Sequence, residues 1–195
     1  MKLHNKRILI TGATGFVGAN LTRDLVDRRC EIAIFSRRAS DFWRIKDIKS
    51  KLKNFVVDLR EYNKVEKALR SFKPHVVFHL GCYGVYPNQK DMDSLLETNV
   101  FGSFNLLKVA MHTNIELFVN VGTFTEYGIK QKIMKEDDLL EPVNIYGATK
   151  AASTLISHAF FKNFNLPVVN VRLFTPYGYF EDRQRFMPSF ILACL

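Results

Sequence analysis

Arg7-Ile8-Leu9-Ile10-Thr11-Gly12-Ala13-Thr14-Gly15-Phe16-Val17-Gly18 decides how this chain folds. A short β-branched run is ended by three evenly spaced glycines, after which Val17, Leu21 and Leu25 recur at helical intervals. That order predicts a strand, a glycine turn and a helix. Glycines at such a turn let backbone amides approach a pyrophosphate, with the positive end of the helix dipole behind them. The spacing Gly-x-x-Gly-x-x-Gly moves the middle glycine one place from the dinucleotide fingerprint Gly-x-Gly-x-x-Gly. A glycine turn needed only for packing is the alternative.

The same alternation repeats downstream. Glu31 to Ser36, Asn54 to Val57, Pro74 to Leu80, Glu116 to Val121 and Pro167 to Phe174 read as strands, and 61–72, 93–112 and 143–163 as helices. Strands of mostly continuous apolar character separated by helices predict an α/β fold with a parallel sheet covered on both faces. At 195 residues the chain fits one domain with a sizeable core, and Arg185 to Leu195 reads as the opening of a last helix.

Charge narrows the partners. The net charge is +9, and it is uneven: Met1 to Lys73 holds 18 basic and 8 acidic residues, the remainder 10 and 11. Such a field suits nucleic acid, acidic lipid or a multiply phosphorylated small molecule. Lys46, Lys49, Lys51 and Lys53 read as a solvated connection, so no nucleic-acid partner is expected. Cys30, Cys82 and Cys194 are odd in number and free of metal-ligand spacing, which points to a reducing cytoplasm and no metal site. No apolar run has membrane-spanning length, and Met1-Lys2-Leu3-His4-Asn5-Lys6-Arg7 leads into the first strand without a signal-peptide core.

Chemistry concentrates in Tyr146-Gly147-Ala148-Thr149-Lys150. On a helix starting near Val143, Tyr146 and Lys150 stand at i and i+4 and project from one face. A free phenol, with a pKa of about 10, is a poor proton shuttle at neutral pH, and a neighbouring ammonium is expected to bring it into range. A surface helix carrying an aromatic and a basic residue is the alternative. Thr123 follows the fifth strand, and strand order places its hydroxyl at the carboxyl edge, where α/β sheets bind ligands. Ser36-Arg37-Arg38 ends the second strand, where an acid usually grips a free ribose 2′-hydroxyl; two guanidinium groups suit a 2′-phosphate instead. Asp58 is placed either to meet an adenine amino group or to form a turn, and His79 reads as a packed histidine.

Together Gly12-x-x-Gly15-x-x-Gly18, Asp58-Leu59, His79-Leu80-Gly81-Cys82, Asn99-Val100-x-Gly102-x-x-Asn105, Thr123, Tyr127-Gly128 and Tyr146-x-x-x-Lys150 resemble the extended short-chain dehydrogenase/reductases, closest to the nucleotide-sugar epimerase/dehydratase group. The resemblance implies a Rossmann-type doubly wound sheet over residues 1–178. It implies a cofactor site of Gly12, Thr14, Gly15, Phe16, Val17 and Gly18 at the pyrophosphate, Ser36, Arg37 and Arg38 at the adenosine ribose, and Asp58 and Leu59 at the adenine. Leu80, Gly81, Cys82, Asn99, Lys150 and Phe174 complete that site. It also implies Tyr146 as acid/base, with Lys150 lowering its pKa, and Thr123, Tyr146 and Thr175 against a nucleotide sugar.

The expected activity is 4-keto reduction or epimerisation, with NADP as cofactor and NAD as the alternative. Phe124-Thr125 stand where dehydratases of the group carry an Asp-Glu pair, so dehydration is disfavoured; Glu126 comes one place late. Thr175 stands where many members carry an asparagine. Relatives continue into a smaller substrate domain, of which 179–195 is only the start, so a truncated remnant or a catalytically idle cofactor-binding module is the other expectation. Dimerisation through the helices at 93–112 and 143–163 is a further implication.

Overall fold

Six apolar segments become strands β1 (Arg7–Thr11), β2 (Glu31–Ser36), β3 (Lys53–Val56), β4 (Val76–His79), β5 (Leu117–Thr123) and β6 (Val168–Leu173) in the computed structural model, which describes residues 3–86 and 88–195. Met1 and Lys2 of the basic leader lie outside the described residues. All neighbouring strands pair in parallel, in the order β3-β2-β1-β4-β5-β6. Parallel neighbours need crossover connections, and helices α1 (Phe16–Asp27), α2 (Tyr62–Phe72), α3 (Met92–Leu96), α4 (Ser103–Ala110) and α5 (Ile145–Phe164) lie within them. A last helix, α6 (Phe186–Cys194), follows β6. The order reverses between β1 and β4, and the crevice at that switch point is where such sheets take ligands.

Alternate residues of each strand face opposite layers. Leu9, Val77 and Phe118 pack with Leu69, Leu106 and Phe160 on one side; Ile8, Ile10 and Ile34 pack with Ala19, Leu25 and Ile45 on the other. Burial on both faces is why these strands read as continuous apolar runs. At the far edge, Val169 and Val171 of β6 stay exposed, as do Phe190 and Ile191 of α6.

Two elements differ from expectation. Trp43–Lys51 is a 3-10 helix, not a solvated connection: Ile45 and Ile48, three apart, share its inner face, while Lys46, Lys49 and Lys51 are exposed. The single helix expected over 93–112 is α3 and α4 joined by a π-helical turn, Glu97–Gly102. That turn carries Asn99 into the interior and sets Gly102 against Leu59, where a side chain's first carbon would lie 2.9 Å from Leu59 Cβ.

Candidate active site

The glycine turn after β1 is shaped by two demands. A Cβ on Gly12, which sits at φ +74°, would lie 2.7 Å from the Leu80 carbonyl carbon and 2.8 Å from Gly81 N, and a Cβ on Gly18 would lie 2.1 Å from Gly12 O. These two glycines let the β1 and β4 turns, and the first turn of α1, press backbone to backbone. Gly15 is different: a Cβ there would meet only Gly12 O, at 3.3 Å. It caps α1 with no side chain, so the helix's first amides face open space beside Thr14, Phe16 and Val17. That cradle fits a pyrophosphate.

Lys150, on α5, is 2% exposed as a residue, yet its ammonium is not among the sealed polar atoms left without a partner, so the head group keeps access to the cleft. An ammonium on a buried stem that opens to a cleft can donate to a polar ligand there, such as ribose hydroxyls. Asn144 caps α5, accepting from Gly147 N at 2.7 Å, and fixes the helix start two residues later than expected. Gly147 lets the helix close on the turn after β5, since a Cβ would stand 2.7 Å from Thr125 O. Tyr146 is thereby set between the β4 turn, where a Cβ on Gly84 would meet its ring at 3.1 Å, and the β5 turn.

The surroundings of Tyr146 act on its phenol from several sides. Burial raises the phenol well above its ordinary value, the Cys82 thiol and the Glu126 carboxylate push in the same direction, and only Arg185 opposes them. The Lys150 ammonium acts on His79, whose pKa it helps to lower. Burial therefore favours the protonated phenol.

Thr123 Oγ1 accepts from Thr125 N at 3.3 Å and from Thr125 Oγ1 at 3.2 Å, leaving its own hydrogen to give. Its backbone N–H donates to Glu126 Oε1 at 2.8 Å, closing a capping box. Glu126 is fully buried and also accepts from Thr154 Oγ1 and Arg172 Nε, both at 2.9 Å. Beside it Phe124 stacks on the exposed ring of Phe174, centroids 5.7 Å apart, and Thr175 is exposed next to that pair.

Behind the site runs a buried relay. Gly81 N–H donates to Thr11 Oγ1 (2.9 Å), which lies 2.7 Å from His79 Nδ1; His79 Nε2 lies 2.8 Å from Ser103 Oγ, and Ser103 donates to Asn99 O (2.6 Å). A carbonyl only accepts, so Ser103 must receive from Nε2–H, leaving Nδ1 bare to accept from Thr11. Burial, reinforced by the Lys150 charge, lowers the His79 pKa to about 3 and keeps it neutral. Asn99 side-chain atoms bond Tyr83 N (2.8 Å), Tyr83 O (2.9 Å) and Thr149 Oγ1 (3.0 Å), tying the β4 turn to α5.

At the ribose end Ser36 donates to Asn54 Oδ1 at 2.8 Å, while Arg37 and Arg38 are exposed. They line a cleft of about 290 Å³ with Val56, Asp58, Glu61 and Lys64. A second cleft of about 540 Å³, lined by Asp58, Arg60, Glu61, Glu97 and Phe101, opens on the other side of Asp58. Arg60 holds both Asp58 oxygens, at 3.0 and 2.9 Å, and keeps that carboxyl below its ordinary range. Asp58 Oδ1 also accepts from Arg60 N at 3.0 Å, the turn-forming alternative for this residue. Asn105 Nδ2 donates to Leu59 O at 3.0 Å and pins that loop.

Residues 8–195 match the NAD dependent epimerase/dehydratase family. The chain belongs to that family. Protein CapI of Staphylococcus aureus is 28% identical to it over 183 residues, covering 88% of this chain and 54% of CapI. The UDP-glucuronic acid 4-epimerase from Bacillus cereus, solved in complex with NAD, superimposes with a TM-score of 0.82 at 27% identity, covering 95% of this chain and 61% of that one. The Bordetella bronchiseptica enzyme WbmG, also in complex with NAD, gives 0.83 at 27% identity, covering 97% and 59%. This member of the epimerase/dehydratase family thus spans a little over half the length of each. Among its described residues no helix is long and apolar enough to cross a membrane, and no group of three His, Cys, Asp or Glu side chains could hold a metal.

Of the side chains singled out in this family member, Tyr146, Lys150, Thr123 and the glycine turn gather at the carboxyl edge of β1, β4 and β5. Asn99 and Ser36 are turned to protein partners, and Arg37 and Arg38 stand apart at the end of β2. Sequence reasoning set Glu126 aside, yet it is the most connected polar group beside Thr123. Its signal was present, because Thr123-x-x-Glu126 is a capping-box spacing.

Proposed function

We propose that this chain carries the cofactor half of a nucleotide-sugar 4-reductase or epimerase, with Tyr146 as acid/base, Lys150 at the nicotinamide ribose and Thr123 at the sugar oxygen. The observation that carries the reading is Lys150 on the same helix stripe as Tyr146, one turn on, with its stem buried, together with a glycine turn whose Gly12 and Gly18 have no space for a side chain. When bound, a nicotinamide cofactor supplies or accepts the hydride at the sugar carbon. Thr123 donates its free hydroxyl hydrogen to the sugar oxygen and orients it. Tyr146, kept protonated by burial, gives its proton to that oxygen as a 4-keto group is reduced, and takes it back in the reverse direction. A proton donor favours reduction over epimerisation.

Two exposed guanidinium groups and the nearby Lys64 favour NADP, although the two solved relatives are complexes with NAD. Exposed Phe101, Phe104, Leu155 and Phe161 on the π turn, α4 and α5 support a homodimer through these helices. A second reading, a cofactor-binding module without turnover, draws on the raised phenol and on a chain that spans a little over half the length of its relatives.

Measuring NADPH oxidation by the 195-residue chain with a nucleotide-linked 4-keto sugar decides between them. Tyr146→Phe is expected to cut turnover at least about 100-fold with nucleotide binding unchanged. Turnover that survives the substitution removes Tyr146 from the reaction, and no turnover in the parent chain supports the idle module.

A further inference from the structure

A carboxylate with no exposure at all is expensive to bury, and it persists only where both of its oxygens are hydrogen-bonded. Glu126 meets that condition with donors from three elements: the Thr123 N–H at the end of β5 (2.8 Å), Thr154 Oγ1 on α5 (2.9 Å) and Arg172 Nε on β6 (2.9 Å). Thr154 is four residues beyond Lys150 and eight beyond Tyr146, so the three side chains fall on one stripe of α5. One carboxylate therefore grips the backbone of Thr123 with one oxygen and the catalytic stripe with the other.

Its surroundings are built around it. Arg172 is fixed in turn by Tyr127 Oη at 2.8 Å and Glu136 O at 3.2 Å. Gly122 leaves the space that this carboxylate fills, because a Cβ there would stand 2.1 Å from Glu126 Oε1 and push it aside. Gly147 closes the same joint from the helix side, against Thr125 O. A buried ion pair adds little net stability over an apolar filling of the same volume, so stability alone does not explain a pair routed through the Thr123 amide.

We infer that Glu126 is a positioning residue, which sets the placement of the Thr123 hydroxyl relative to the Tyr146 stripe by holding β5 and α5 through one carboxylate, with Arg172 as its counter-charge. This rests on the roles proposed above for Thr123 and Tyr146. Glu126 does not touch the sugar or the cofactor. Around the phenol the charged and titratable groups are Cys82 from the β4 turn, Glu126 from the β5 turn, Arg185 at the head of α6 and Lys150 on α5 itself.

The test uses the 195-residue chain with Glu126→Ala, Gly122→Ala, Glu126→Gln and Thr154→Val, reading amide hydrogen exchange at Thr123 together with kcat and KM for NADPH oxidation. Glu126→Ala removes the grip, and Gly122→Ala displaces it without removing the charge. Both are expected to speed Thr123 exchange at least about 10-fold while β1 amides keep their protection. Both should lower kcat about 30-fold and leave the KM for NADPH within about 2-fold. Glu126→Gln keeps an oxygen for the Thr123 N–H and should restore its protection and part of kcat. Thr154→Val preserves packing, should leave Thr123 protected, and should lower kcat about 5-fold by freeing the helix arm alone.

Thr123 protection unchanged in the first two variants, or lost equally across β1 and β4, overturns the inference and leaves Glu126 a plain stabiliser. Where those two variants do not fold, a Thr154→Val chain with parental kcat overturns it. A parent without turnover defeats the proposed function, while the exchange measurements still decide whether Glu126 holds Thr123.

Discussion

Arg37 and Arg38 show how little one side chain must do to choose a ligand. Both are exposed at the mouth of a cleft shared with Asp58 and Lys64, and neither is needed for packing. Arg37→Ala should therefore leave the unfolding midpoint unchanged and weaken NADP about 10-fold while NAD binding stays within about 2-fold, read by fluorescence titration. An unchanged preference removes the arginines from cofactor choice. Glu126 is the opposite case: it is buried, triply bonded and set in a gap left by Gly122. Charged side chains that look alike in the sequence thus end up open to solvent at Arg37 and Arg38 and locked inside at Glu126, and only the capping-box spacing distinguishes the last in advance.

At the scale of elements, Asn99 is the joint between the β4 turn and α5. Asn99→Ala strands Tyr83 N–H and C=O and removes a donor from Thr149, so urea unfolding should show a loss of about 3 kcal/mol. A loss under about 1 kcal/mol would mean that water replaces the amide without cost. Strands β1 to β6 were legible because burial on both faces writes an unbroken apolar run, and their ends shifted by only one or two residues. The π turn at Glu97–Gly102 was not, because one extra residue in a helix leaves the apolar period on either side intact. Trp43–Lys51 was half legible: its lysines are exposed as read, but the pair Ile45 and Ile48 is too short a pattern to separate from a loop. Tyr146, Lys150 and Thr123 were singled out from spacing and strand order, whereas the direction of the phenol's shift depends on burial and on Cys82, neither visible from a one-dimensional pattern.

For the whole molecule, acid stability should carry the signature of one buried ring. His79 titrates near its ordinary value of 6.5 when unfolded and at about 3 when folded, so the unfolded chain binds the extra proton first. Stability is then full above about pH 6.5 and falls as the pH drops toward the folded value, by about 2 kcal/mol at pH 5. Carboxylates with lowered values, such as Asp58 and Glu116, add their losses only below about pH 4.5, so the window from 6.5 to 5 belongs to His79. Urea midpoints measured across that window should slope for the parent and flatten for His79→Gln; equal slopes would place the proton elsewhere. The bonds around this ring all point one way, from the Gly81 amide to the Asn99 carbonyl. Passing a proton along them would require the last acceptor, an amide oxygen, to keep it, which it does not do at any physiological acidity. The histidine beneath the glycine turn is therefore a strut and never a wire.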